Sequence, residues 1–118
     1  MSTTTPAPLP HPSVLIPLVR SIIFSDAHLQ NMINEFSSPD AGSISLDRTN
    51  DVIGELCLEA EFVASIYDDA IRFLGPDYRQ ELGFRKRVWG YVEGLRDKMI
   101  VLNALVAGVM QWQAYGRP

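Results

Sequence analysis

Cysteine is all but missing from this 118-residue chain, in which Cys57 stands alone. One thiol cannot make an intramolecular disulfide and offers no cluster for zinc, which removes the stapled and zinc-nucleated classes of small domain. Long hydrophobic runs are missing too: none approaches the roughly 18 residues that a membrane-crossing helix needs, so no membrane span is expected. The first dozen residues contain neither lysine nor arginine, and the apolar stretch after them is interrupted by Pro17 and Arg20. A secretory signal is therefore not expected, and a cytoplasmic location is. No segment alternates polar and apolar residues long enough to make a strand, and no internal repeat is convincing. There is no phosphate-cradling glycine loop and no nucleophile elbow, so no catalytic residue, cofactor or metal ligand is assigned. Basic charge is scarce as well. Ten Lys and Arg against 14 Asp and Glu give a net charge of −4, a field that repels phosphate backbones, and nucleic acid is not expected as a partner.

What is present folds. A chain of this length with 47% hydrophobic and 20% charged residues makes one domain, burying roughly two-thirds of the surface its unfolded form exposes. Residues 1–12 carry prolines at 6, 8, 10 and 12 and read as an extended, disordered arm. Spacing of two gives no P-x-x-P within it. Residues 13–118 are the domain.

Helical spacing then dominates. Leu15, Leu18, Ile22, Leu29, Met32 and Phe36 keep steps of three and four, with Ser25 in the one polar slot, which predicts a first helix over about residues 14–36. Ser25 and Asp26 offer a break that would split it in two. The loop SSPDAGSIS follows at 37–45. Ile53, Leu56, Ala60, Val63, Tyr67, Ala70 and Leu74 predict a second helix over about 49–74, stopped by Gly75 and Pro76. Asp77 with Gln80 forms a capping box that starts the third helix at once. That helix runs through Val88, Val92, Leu95, Met99, Leu102, Val106 and Val109 over about 78–114. The architecture is all-α: an up-down-up three-helix bundle, or four helices if the first is split, with a long C-terminal helix.

The third helix would be about 55 Å long, while a compact chain of this size is about 35 Å across. Either it bends near Gly83, Gly90 or Gly94, or its end projects. In a hairpin folded at Gly75 and Pro76, Leu102 faces Thr49, where the second helix has begun. Leu105, Val109, Met110 and Trp112 then need cover from the Ile44 and Leu46 loop, from the first helix, or from another chain. Met99 to Met110 is apolar on every face but for Asn103, so these four residues are the candidate partner or dimer interface.

The remaining candidates weigh less. Glu55 and Glu59 on the second helix, with Glu93 and Asp97 on the third, are the carboxylates that an all-α hydrolase or lyase would use to hold magnesium. Their apolar-stripe phases turn them mostly to water. Arg85, Lys86 and Arg87 lie opposite Asp68 and Asp69 and read as pairing across the hairpin. His28 reads as a lone surface histidine, Cys57 as a buried inert thiol, and Trp89 as core. The function expected is protein-protein interaction without catalysis, with a second copy and another protein as partners. A metal-dependent hydrolase is the alternative.

Overall fold

The computed structural model of the chain describes residues 12–37, 43–74 and 83–115. Residues 1–11 of the expected 1–12 arm and the Asp77/Gln80 capping box lie outside the described residues, and Pro12 belongs to the first helix instead of the arm. Three helices account for nearly all of the rest: α1 (Pro12–Ser37), α2 (Leu46–Leu74) and α3 (Phe84–Ala114). They pack as one up-down-up bundle, as the spacing predicts.

Each helix end has a local cause. Proline suits the first helical position, where its missing N–H costs no bond, and α1 opens on Pro12. Pro17 lies inside α1 on the exposed side. The chain does not break at Ser25 and Asp26, so three helices form rather than four; Ser25 Oγ donates to Glu59 of α2, 2.9 Å away. A serine whose hydroxyl is engaged elsewhere does not compete for its own backbone. At the far end Ser37 Oγ returns a bond to the Ile33 carbonyl at 2.6 Å. Ser45 caps α2, its Oγ accepting the Arg48 N–H at 3.0 Å, so α2 begins at Leu46 rather than Thr49.

Gly83 precedes α3 with φ 127° and ψ −145°, a conformation that side-chain-bearing residues rarely adopt. From there α3 runs unbroken through Gly90, Gly94 and Gly108, and a Cβ at any of the three would meet no atom within 4 Å. The Gly90 and Gly94 pair, four residues apart, is therefore not a site of close helix contact. Opposite outcomes are expected from one substitution type. Gly94→Ala and Gly108→Ala should each raise the unfolding free energy by about 0.5–1 kcal/mol through helix propensity, and Gly83→Ala should lower it by about 1–3 kcal/mol through strain. Urea melts of the three variants check this, and a loss at Gly94 would mean that something fills that space.

The late start of α3 resets the hairpin. Trp89 meets Tyr67 edge-on at 6.0 Å between ring centroids, where a turn at Gly75 and Pro76 would set it against Phe62. Gln113 Nε2 donates to the Ile44 carbonyl at 2.9 Å, where that turn would set it against Ser38. The end of α3 thus lies level with the segment leading into α2, and the expected overhang is not formed.

The core is built from the stripes of α1 and α3 as read, and from a stripe of α2 that keeps Val63, Ala70 and Leu74 of the expected frame but buries Val52, Glu59 and Ile66 in place of Ile53, Ala60 and Tyr67. Val52, Glu59, Ile66 and Thr49 are buried beside Val63, Ala70 and Leu74, whereas Ala60 is exposed. Ile53, Leu56 and Tyr67 pack half-buried against the same core. Among the described residues no helix is long and apolar enough to cross a membrane.

Candidate functional site

Four polar side chains are buried among the described residues, Ser25, Thr49, Glu59 and Arg85, and the first and third of them meet across α1 and α2. Glu59 is only 5% exposed and Ser25 is fully buried. A buried carboxylate is costly unless several donors reach it. Ser25 Oγ serves Oε2, and His28 Nδ1 lies 2.6 Å from Oε1, so the Nδ1–H donates there. His28 Nε2 then faces Glu55 Oε2 at 3.8 Å. His28 is accordingly half-buried and held, not a lone surface side chain, and Glu59 does not face water.

The polar line continues along the α1–α2 seam. Arg48 donates to both oxygens of Glu35 at 2.8 Å, Nε to one and Nη2 to the other, and Nη1 reaches Glu55 Oε1 at 3.5 Å. The two Arg48 bonds hold the Glu35 carboxyl below the usual carboxylate range, against a smaller upward push from burial. The guanidinium in turn is held further into its charged form by Glu35. A carboxyl whose pKa is lower folded than unfolded contributes stability above its ordinary value of 4.5 and loses it as the pH falls through the lowered value. Both side chains are 36% exposed, so the contribution is less than about 1 kcal/mol. Urea melts at about pH 6 and about pH 3 should show a smaller acid loss in Glu35→Gln than in the wild type. Equal losses would show the pair to be unformed in solution.

Beside this seam lies a groove of about 280 Å³, lined by Phe24, His28, Glu55, Leu58, Glu59 and Phe62. Phe24 is 68% and Leu58 69% exposed, and Phe62 stands at the edge of exposure. On the other flank of α1 a groove of about 480 Å³ is lined by Val19, Ile23, Asp26, Arg87 and Tyr91, with Ile23 and Tyr91 largely exposed. Lys98 Nζ bonds Asp26 Oδ1 at 2.6 Å along that flank. Arg87 of the basic tract thus lies against α1, while Arg85 is buried and Lys86 exposed. A third recess, of about 450 Å³ between α2 and α3, holds Cys57, which is exposed rather than buried.

The residues expected at the end of α3 are dispersed. Val109 is buried in the core and Leu105 is packed half-buried against it. Trp112 is half-buried, and Met110, 45% exposed, lines a shallow recess with Leu46, Asn50 and Gln113. Trp89 is core. The four carboxylates weighed for a metal are not one set: Glu59 and Glu55 are engaged by α1 and Arg48, and Asp97 is exposed. Among the described residues no group of three or more His, Cys, Asp or Glu side chains is placed to hold a metal ion.

The apolar groove around Phe24 and Leu58 was not found from sequence. Its signal was the first half of α1, where Ile16, Ile23 and Phe24 fall outside the stripe formed by Leu18 and Ile22. No family model matches the chain, and none of the curated proteins or solved structures compared with it does.

Proposed function

We propose that the chain works by binding another protein and not by catalysis. The observation that carries this reading is α1 itself. Its first half buries Leu18 and Ile22 inward while Ile16, Ile23 and Phe24 remain exposed on its other sides. A helix apolar all round is stable in water only when covered all round, and the bundle covers one side. Leu58 and Phe62 extend the apolar surface on one flank and Tyr91 on the other. Aromatic side chains in a contiguous apolar patch are the residues that dominate protein interfaces. Among the described residues the paired acids Glu55 and Glu59 of α2, the candidates for a reaction centre, are tied to His28 and Ser25 of α1.

A photoreactive phenylalanine analogue placed at position 24 or 62 tests the reading in the native cell. It should capture a discrete protein, while the same group at Glu61 or Arg72, on the polar outer face of α2, should not. Equal labelling from all four positions would defeat the proposal.

A further inference from the structure

We propose that the occupant of the α1–α2 groove is an amphipathic helix whose polar edges are basic, an inference that rests on the interaction reading above. Shape selects the helix. The groove is the outer seam between two antiparallel helices, and a further helix laid along it completes a four-helix bundle, the arrangement in which helices cross at about 20° and 8–10 Å apart.

Chemistry selects the two kinds of side chain. Phe24, Leu58 and Phe62 form the apolar centre. On α2 the steps Asp51, Glu55, Leu58, Phe62 and Asp69 keep helical spacing along the edge that meets α1, so the apolar pair is bracketed by acids. Asp51 is exposed and Asp69 half-exposed. Arg48, whose guanidinium reaches Glu55 of this groove, is already bonded to Glu35 as well. His28 is fixed by Glu59 and turns its second nitrogen towards Glu55, so the floor is carboxylate-rich as well. Lysine or arginine stems on a docked helix would lie over the two phenylalanines and carry their charges to these acids. The opposite groove, for all its larger volume, is edged by Arg87 and by the Lys98–Asp26 pair and lacks this acidic bracket.

The test uses the full chain and three fluorescent peptides of about 18 residues, long enough to reach from Asp51 to Asp69 along α2. One has leucines on a single helical face and lysines elsewhere, one replaces every lysine by glutamate, and one scrambles the first. The lysine peptide should bind by anisotropy, with affinity falling about tenfold from low to high salt, and the other two should not. Asp51→Asn with Asp69→Asn should weaken binding about fivefold or more. Phe24→Ser with Phe62→Ser should abolish it, Phe24→Leu should retain it, and Tyr91→Ser in the opposite groove should leave it unchanged. Helical circular dichroism of each variant separates loss of binding from loss of fold.

Glutamate and lysine peptides binding equally would overturn the basic partner while leaving the apolar interaction face standing. Equal binding of the scrambled peptide, or loss with Tyr91→Ser alone, would overturn the groove. So would light scattering that finds a dimer abolished by Phe24→Ser with Phe62→Ser, since a second copy then fills it. Flotation with phosphatidylcholine vesicles that the same variant abolishes would assign the face to a lipid surface. If no peptide binds while the photoreactive group at position 24 still captures a protein, the basic-helix occupant fails and the interaction reading survives.

Discussion

Leu102→Ala is expected to lower the unfolding free energy by about 3–5 kcal/mol, whereas Met110→Ala, two turns further along α3, should change it by less than about 0.5 kcal/mol. Leu102 is completely buried, with Val106 buried one turn on, so truncating it leaves a cavity that neighbours on a packed helix cannot close. Met110 is 45% exposed at the rim of a shallow recess, and its loss opens nothing. The contrast measures where the monomer's own core ends. Urea unfolding with a constant m-value reads both numbers. A cost for Leu102→Ala under about 1 kcal/mol would mean that the end of α3 is not packed within the single chain, and would favour the expected cover by a second chain.

The expected overhang failed for a specific reason. Gly75 and Pro76 end a helix unambiguously, and an acid followed by glutamine three residues later starts one, so the sequence between Leu74 and Gln80 reads as a tight turn. Helix α3 begins only at Phe84, after the positive φ of Gly83, and that delay moves every facing pair along. Nothing in the local pattern marks Gly83 above Gly90 or Gly94. What distinguishes it is a backbone angle, which composition does not carry.

The stripes of α1 and α3 were legible because each has a single apolar frame. Helix α2 has two. Ile53, Leu56, Ala60, Val63, Tyr67, Ala70 and Leu74 form one without interruption. Val52, Glu59 and Ile66, with Glu59 the one fault, lie one residue before Ile53, Ala60 and Tyr67 and are buried in their place, while Val63, Ala70 and Leu74 stay in the core. Both are apolar because α2 lies between two helices and presents a side to each. The faultless frame is the natural choice when a helix is read alone, but the fault on α2 is answered by the fault on α1, and only the tertiary pairing of Ser25 with Glu59 reveals it. The same pairing hid the apolar groove. With α2 turned to place Glu59 inward, Leu58 and Phe62 are carried to the seam beside Phe24, and Cys57 is carried out to solvent.

Removing the donors around Glu59 should be as damaging as removing a core leucine. Ser25→Ala with His28→Ala leaves a carboxylate in a site only 5% exposed without either of its α1 partners, and an uncompensated buried charge typically costs about 3–5 kcal/mol. Either substitution alone should cost about 1–2 kcal/mol, because one donor remains, so the pair is expected to be more than additive. Adding Glu59→Met to the double variant replaces the stranded charge by an apolar side chain of similar length, and should return stability to within about 1 kcal/mol of the wild type or above it. Chemical denaturation of the wild type and the four variants closes the cycle. A double variant that loses less than about 1 kcal/mol would show that water reaches Glu59 and that the polar layer is not buried in solution. If the triple variant recovers, the trio is not there for stability. Its use is then alignment: sliding α2 by a heptad along α1 sets Glu59 against leucine or methionine, so the two faults coincide in one register only. That reading requires the recovered triple variant to be less uniquely ordered, with faster amide exchange along the α1–α2 seam at equal or greater global stability. Unchanged exchange there would leave the buried polar pair without a structural purpose.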